Sequence, residues 1–491
     1  MKILFVASEM EPLAKVGGLA DVVGTLPLEL QGLGCDVRVV VPFYRDVREN
    51  LHRLQIKSKV LRGEIATAID WLVHRGRIRK INLGGVLVYL LVNESLYDRK
   101  YIYGSPHGDY EDNDIRFGFL SLGALEVAKS QGFKPDIIHC HDWQTALIPI
   151  SLRWRKHLRE DPFFKSSKVV FTIHNLAFQG LYGRELLDRF GLPEEIFTPS
   201  GIEFYGRVNL LKGAIVYSDS VTTVSETYAE EIKTPEYGCG LEGVLREVAA
   251  TSGRLLGILN GIDYERWNPS TDRRIYANFS AEDLAARAPN KLMLSKELGL
   301  GGGASKPLIG MVTRLTEQKG VDLVVESLPE IFSIGYQLVI LGTGEKRLER
   351  MLKEAEHCFS GDIRVVLGFD ETLARRIYAG SDMYLMPSRF EPCGIGEMIA
   401  LRYGSIPVVR ATGGLKDTVR DHTRNPESSN GFVFRDFSKE SLIDALARAA
   451  LTYGDKDEWC GLMRRAMRDD YSWRRSSRKY LDLYNSLLKR V

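Results

Sequence analysis

The six cysteines of this 491-residue chain (Cys35, Cys140, Cys239, Cys358, Cys393 and Cys460) include no C-x-x-C pair and keep no regular spacing. That excludes a disulfide framework and reads as a reduced, cytoplasmic protein. No apolar run approaches the about 18 residues of a membrane span, and Met1 leads straight into a strand with no basic and apolar leader. The net charge is only +2, which gives no pull toward nucleic acid or a membrane surface. Internal repeats and low-complexity tracts are absent. So is a G-x-G-x-x-G after the first strand, which disfavours a two-domain dehydrogenase. What remains is an ordinary globular composition, 44% hydrophobic and 26% charged, in a chain long enough for about two to three domains.

Two series of strand-length apolar runs organise it. "KILFVAS", "DVRVVVP", "VLVYLLV", "DIIHCH", "KVVFTIH" and "SVTTVS" fill the first half; "PLIGMVT", "YQLVILG", "IRVVLG", "MYLMP" and "IPVVR" fill the second. They are β-branched and nearly continuous, as strands buried on both faces of a parallel sheet are, and helix-length amphipathic stretches separate them. The pattern predicts two doubly wound α/β domains, 1–260 and 261–472, with a final helix over 473–491 returning to the first. "GLGGGASK" (299–306) reads as a mobile surface connection. In such folds ligands bind at the carboxyl ends of the strands, and unusual residues gather there.

After the first strand, "EMEPLAKVGG" brings Lys15, Gly17 and Gly18 to the start of a helix. Free N–H groups and glycines there let an anion approach. Pro27 within the helix pattern predicts a kink or an early stop. "DIIHCHDWQTA" sets His139 and His141 on one face of a strand and Asp142 and Trp143 at its end. With Cys140 these histidines invite a metal reading, but no third and fourth ligands stand at a suitable spacing. Structural histidines and a functional Asp142 are the preferred reading. "KVVFTIHNLAFQG" ends its strand in His174 and Asn175.

In the second half, "GMVTRLTEQKG" places Arg314 and Lys319 just beyond a strand, a forked and a point cation suited to a diphosphate. "LGTGE" ends the next strand with Gly342 and Gly344. "MPSRFEPCGIGEMIALRYG" sets Glu391, Cys393 and Gly394 in a turn before an apolar helix. Cys393 has no local histidine to make it a nucleophile. "RATGGLKDTV" repeats the opening logic, with Thr412, Gly413 and Gly414 at a helix start.

Together "KVGGLADVVGTLPLELQGLGCDVRVVVPFY", "HDWQTALIP", "TIHNLAFQG", "VSETYAEEI", "YGCGLEGVL", "LNGID", "TRLTEQKG" and "FEPCGIGEMIALRYGSIPVVRATGGL" resemble the bacterial glycogen synthases and plant starch synthases, in that family's order and through essentially the whole chain. The resemblance implies a GT-B fold, two Rossmann-like domains facing across a deep cleft. It implies retaining transfer of glucose from ADP-glucose or UDP-glucose to the non-reducing end of an α-1,4-glucan, ADP-glucose being favoured. The nucleotide sugar is then a co-substrate, with no cofactor and no metal. By the same resemblance Lys15, Gly17, Gly18 and Asp21 meet the donor from the first domain, and Arg314 and Lys319 hold its diphosphate from the second. Glu391, His174 and Asp142 are implied as catalytic, with Asn260, Cys393, Gly394, Thr412, Gly413 and Gly414 lining the substrate. Tyr97, Trp143 and the "DYEDNDIRF" loop are implied to help with donor or acceptor contacts; the D-x-D-like Asp112–Asp114 within that loop is not read as a metal motif.

One departure stands out. The family usually reads E-P-C-G-L-x-Q, and this chain has Glu397 at the glutamine position; the second acid of the related E-x7-E motif is Ile399 here. Rival readings are another GT-B transferase with a sucrose- or trehalose-type acceptor, and a non-catalytic sugar-nucleotide sensor. Intact Lys15, Arg314, Lys319 and Glu391 argue against the sensor.

Overall fold

A computed structural model describes residues 1–105, 108–302 and 305–489. Residues 303–304 of the expected glycine-rich connection, and 490–491 of the expected last helix, lie outside the described residues. Backbone contacts divide the chain into two compact units. The first comprises Met1–Val224, Ala229–Ile258 and the chain from Trp473 onward; the second comprises Ser225–Tyr228 and Leu259–Ser472.

The first unit is built on strands β1 (Lys2–Val6), β2 (Asp36–Pro42), β3 (Lys59–Ile69), β4 (Leu72–Leu83), β5 (Val86–Val92), β6 (Ile137–His141), β7 (Lys168–Ile173), β8 (Ser220–Thr223) and β9 (Leu255–Gly257). Their order in the sheet is β9-β8-β7-β6-β1-β2-β5-β4-β3. The central strands are parallel; β4 pairs antiparallel with both β5 and β3. Ile3, Leu4, Phe5 and Val6 are fully buried, as are Ile137 and Ile138, because helices cover both faces of a parallel sheet. The β3–β4 hairpin obeys another rule. Ile65, Thr67 and Ile69 are buried while their neighbours are exposed, the period-2 pattern of a sheet with one wet face. Among the expected strands this hairpin is missing, because charged residues interrupt its apolar positions.

Helix α1 (Gly18–Gly32) runs through Pro27 without stopping there. Pro27 supplies no N–H to the turn before it, but Leu26, Pro27 and Leu30 are all buried, and tertiary packing holds the helix across the gap. A second correction concerns "DYEDNDIRF". Helix α2 (Asn113–Ser130) begins inside it, so Asn113–Phe117 are helical rather than loop.

The second unit carries strands β10 (Leu308–Val312), β11 (Gln337–Gly342), β12 (Ile363–Leu367), β13 (Met383–Met386), β14 (Ile406–Arg410) and β15 (Phe432–Phe434). Their order is β12-β11-β10-β13-β14-β15, all parallel. This is the doubly wound arrangement 3-2-1-4-5-6. In each sheet the winding reverses beside the first strand: between β1 and β6 in the first unit, and between β10 and β13 in the second. The crevice at the carboxyl ends of those pairs is where each unit can take a ligand. Short helices α3 (Gly396–Arg402) and α4 (Gly413–Thr418) follow β13 and β14.

The last helix, α5 (Trp473–Lys489), packs on α1. Tyr484 Oη hydrogen-bonds His139 Nδ1 at 2.7 Å, His139 Nε2 meets Thr172 Oγ1 at 2.6 Å, and Thr172 Oγ1 meets Thr222 Oγ1 at 2.6 Å. This buried polar chain fastens α5 across three strands. Tyr484→Phe leaves a fully buried imidazole nitrogen unpaired and is expected to cost roughly 1–3 kcal/mol in stability. Urea unfolding monitored by tryptophan fluorescence measures it; an unchanged midpoint would show that the chain of hydrogen bonds is not what holds α5.

Candidate functional site

Between the carboxyl ends of β1 and β6, the first unit gathers acids around a loop. Glu9 is only 3% exposed. Its Oε2 accepts the N–H groups of Val16 at 2.5 Å and Gly17 at 2.9 Å, and the Tyr103 hydroxyl donates to its Oε1. Ser8 Oγ lies 2.8 Å from the same hydroxyl. Glu9 therefore fixes the "KVGG" backbone from beneath and aims the start of α1 outward. Lys15 Nζ sits 2.6 Å from Asp21 Oδ1 on the exposed side of that turn. A Cβ on Gly17 would meet nothing within 4 Å, and its φ of −139° suits any residue. Neither packing nor backbone conformation requires this glycine, so the room it leaves faces outward.

Asp142 ends β6 with φ 54°, a strained conformation for a residue other than glycine. Its Oδ1 accepts the His174 N–H at 2.7 Å, which ties the tips of β6 and β7 together. Burial, then the neighbouring Glu9 charge, push Asp142 up to about 7 against the pull of the His174 and Asn175 amides. Burial also raises Glu9. His174 Nε2 lies 3.0 Å from His141 Nδ1, and burial brings His174 down to about 3, so this ring is a neutral hydrogen-bonding group. His139 and His141 are fully buried, and burial depresses both well below the usual imidazole range. His139 is bonded to Tyr484 and Thr172 through its two nitrogens, as a structural histidine is. Among the described residues no three His, Cys, Asp or Glu side chains are grouped to hold a metal ion.

In the second unit the crevice beside β10 and β13 brings Lys319 and Glu391 together, Nζ to Oε2 at 2.5 Å, with side chains 16% and 7% exposed. Ser388 Oγ adds a hydrogen bond to the same carboxylate oxygen at 3.1 Å. Arg314 is exposed and has no side-chain partner among the described residues. The Cys393 thiol is buried against the Asn260 backbone, and burial and Glu397 push it well above its ordinary value, which makes it a poor nucleophile. Asn260 is 3% exposed and its Oδ1 lacks a partner among the described residues. Ser225 Oγ donates to the Pro392 carbonyl at 2.5 Å, and Thr227 bonds Asp417 through its N–H and hydroxyl at 2.8 and 2.5 Å. These contacts brace the turn that presents Glu391.

Some expected residues sit elsewhere than expected. Tyr97 is fully buried; its hydroxyl donates to the Arg116 carbonyl at 2.9 Å and its ring packs edge-on against Tyr44. It is a core residue in this structure, because α2 and Arg116 close over it. Asp112 is taken by Arg99 at 2.6 Å and Asp114 by Arg189. Trp143 is 7% exposed and packs against Gly180, where a Cβ would fall 2.6 Å from its ring. It therefore supports the loop after His174 from below. Gly413 and Gly414 differ from Gly17. A Cβ on either would fall 1.9 Å from the Glu391 carbonyl or 1.7 Å from that of Cys393. They let α4, behind Thr412, press on the turn of Glu391, and Gly394 in that turn has φ +84°.

Two residues escape sequence reasoning. Nothing near Glu9 in the sequence marks it off from Glu11, and its side-chain partner Tyr103 is 94 positions away. Phe369 follows β12 and Gly368 at the carboxyl end of the sheet and is 84% exposed. A large aromatic placed there could have been found by asking which bulky apolar residues follow a strand directly.

Comparison with known proteins matches residues 2–247 to a family model described as the starch synthase catalytic domain, and residues 301–459 to glycosyl transferases group 1. Among curated relatives, a glycogen synthase 2 of Geobacter metallireducens is 51% identical, covering 99% of each chain. A glycogen synthase of Geotalea uraniireducens is 48% identical, covering 100% of this chain and 99% of the other. Among solved structures, the catalytic domain of starch synthase IV from Arabidopsis thaliana, bound to ADP and acarbose, has a TM-score of 0.91 at 36% identity, covering 99% of each chain. A sucrose-phosphate synthase of Thermosynechococcus elongatus, with TM-score 0.62 at 16% identity over the full length of both chains, shares the fold.

The Glu9 cradle has a direct test. Glu9→Ala removes the acceptor of two amides and a hydroxyl, so the Val16 and Gly17 amides should exchange with deuterium markedly faster and stability should fall by about 1–3 kcal/mol. Glu9→Gln keeps one acceptor and should recover part of both effects. Equal exchange in all three proteins would mean that the loop holds itself.

Proposed function

This chain belongs to the glycogen and starch synthase family of glycosyltransferases, with a GT-B fold, and from that premise we propose that it transfers glucose from ADP-glucose, in preference to UDP-glucose, to the non-reducing end of an α-1,4-glucan with retention and without a metal. The observation that carries the reading is the Lys319–Glu391 pair at the switch point of the second unit, with Arg314 exposed just beyond the same strand. The ADP in the starch synthase IV structure supports the choice of base.

The chemistry follows from charge. As the glucosyl–oxygen bond lengthens, negative charge collects on the departing diphosphate and positive charge on the ring. Lys319 and Arg314 neutralise the first, a preorganised electrostatic role that places no demand on a metal. Glu391 lies beside Lys319 and serves the second, by facing the ring or by binding a sugar hydroxyl. A covalent route through the second acid of the related motif is closed, since that position is Ile399, which is buried. In the first unit the Glu9-held turn presents Gly17 and Lys15 at its own crevice, where Asp142 fixes the His174 backbone and the neutral His174 ring is a hydrogen-bonding group for a sugar hydroxyl. Phe369 offers a stacking face for the base.

The decisive assay follows labelled glucose into glycogen from ADP-glucose and UDP-glucose, using enzyme dialysed against EDTA. ADP-glucose should give the higher kcat/KM, and the rate should survive dialysis. Complete loss restored by Mg²⁺ would overturn the metal-free reading.

Glu391→Gln should lower kcat by roughly 10²-fold or more, equivalent to ~2.7 kcal/mol of barrier, when assayed well below the variant's melting temperature. A variant that melts earlier yet turns over at nearly the normal rate would make Glu391 no more than the counter-ion of Lys319.

A further inference from the structure

Glu397 lies on the first turn of α3, directly behind the turn that carries Glu391, and is fully buried. Its Oε1 receives one hydrogen bond, from Thr418 Oγ1 at 3.2 Å. Its Oε2 is sealed from solvent and has no partner among the described residues. The carboxyl is packed against the turn so closely that a Cβ on Gly394 would stand 2.5 Å from Oε2. A dry carboxylate with this few donors is costly, because the lost hydration is not replaced.

Among the described residues the surrounding charges leave no cation of its own for it. Glu391 and Glu397 face one lysine, Lys319, and Lys319 sits on Glu391 at 2.5 Å. The other titratable groups facing Glu397 are Cys393 and Tyr384, and both are held neutral by burial, reinforced in Cys393 by Glu397 itself. Asp417, one residue before Thr418, is occupied by Thr227. Two carboxyl groups beside one ammonium can share a single negative charge cheaply, but not two.

We propose that Glu397 is a positioning residue that works in its protonated form, standing in for the glutamine usual at this place, and that loss of its proton switches off the Lys319–Glu391 pair. A protonated carboxyl resembles a glutamine amide in offering one donor and one acceptor at the same place. The electrostatics agree in direction: burial first, then the Glu391 charge, push Glu397 up to about 8, against smaller opposing effects of its own amide, Thr418 and Lys319. Above that pH a second carboxylate bears on Lys319 and competes with an incoming diphosphate. A glutamine cannot do this, so this chain acquires an alkaline limit that a glutamine at the same position would not impose. The activity readout rests on the function proposed above.

Stability moves with the same proton. The folded value lies above the ordinary carboxyl value of 4.5. Glu397 therefore contributes its full stability below about pH 4.5 and loses it progressively as pH rises toward about 8.

The test compares wild type with Glu397→Gln. In the wild type, kcat/KM for the nucleotide-sugar donor should fall by about tenfold per pH unit above about pH 8, mainly through KM, and the variant should lack that limb. Melting temperatures from about pH 5 to about pH 9 should drop more steeply in the wild type than in the variant. Infrared difference spectra between the same two pH values should show a larger loss of the carbonyl band of a protonated carboxylic acid in the wild type than in the variant, which retains the Asp142 contribution. Superimposable alkaline limbs and parallel melting curves would overturn the proposal. So would a wild-type spectrum without any such band, or equal band losses in wild type and variant, and a Glu397→Asp variant gives the same comparison if Glu397→Gln does not fold. The melting and infrared results need no substrate, so they stand even if the chain turns over neither sugar nucleotide.

Discussion

Parallel strands can be joined only by crossovers, and those crossovers are right-handed. A chain that winds outward from its first strand in one direction must return and wind outward in the other, leaving an uncovered crevice where the directions part. Both units obey this constraint. Glu9, Asp142, Lys319 and Glu391 stand just beyond the carboxyl tips of the four strands flanking the two crevices, and His174, Phe369 and Thr412 follow other strands of the same sheets at the same end. The loops there cannot fold into the core, since their amides need partners. They are therefore held by single buried side chains: Glu9 under the "KVGG" turn, Asp142 under His174, and Ser225 under Pro392.

The two crevices use glycine in opposite ways, and this separates an open surface from a packed one. Gly17 has empty space where a Cβ would go, whereas Gly413 and Gly414 have a carbonyl oxygen there. A glycine in such a context can leave open space in one place, while in another it lets two stretches of backbone touch. Sequence alone gives both the same reading, because "VGGL" and "TGGL" differ only in what folds against them.

That contrast marks how far the chain was legible. The continuous apolar strands, the doubly wound class and the family were readable, because burial on both faces writes itself into adjacent residues and the motifs "KVGGL" and "EPCG" are contiguous. The β3–β4 hairpin was not, since one wet face breaks the apolar run at every second residue. Helix α1 was expected to falter at Pro27 and does not, because packing outweighs one missing hydrogen bond. Tyr97 was placed at the ligand and lies in the core. Its partner Arg116 is 19 residues away along the chain and carries no local sign of the contact. Glu9 was missed for the same reason. Strand tips can be read as positions; what braces them comes from distant sequence.

The bracing shows one further regularity, which concerns buried acids. Glu9 is satisfied by two amides and a phenol, and Asp142 by two amides. Glu391 has a lysine and a serine, whereas Glu397 has a single hydroxyl and its own amide. The donors differ in kind from one acid to the next, and Glu397 is the one that receives neither a loop amide nor a cation. A carboxyl group loses hydration worth several hydrogen bonds when it is buried, and whatever the protein does not return must be made up by a proton. Burial raises Glu9, Asp142 and Glu397 alike, the last two to about 7 and about 8, and the donors each receives work against it. The second crevice sets two buried carboxyl groups beside one lysine, and Glu391, with its Oε2 2.5 Å from Lys319 Nζ, is the one paired with it.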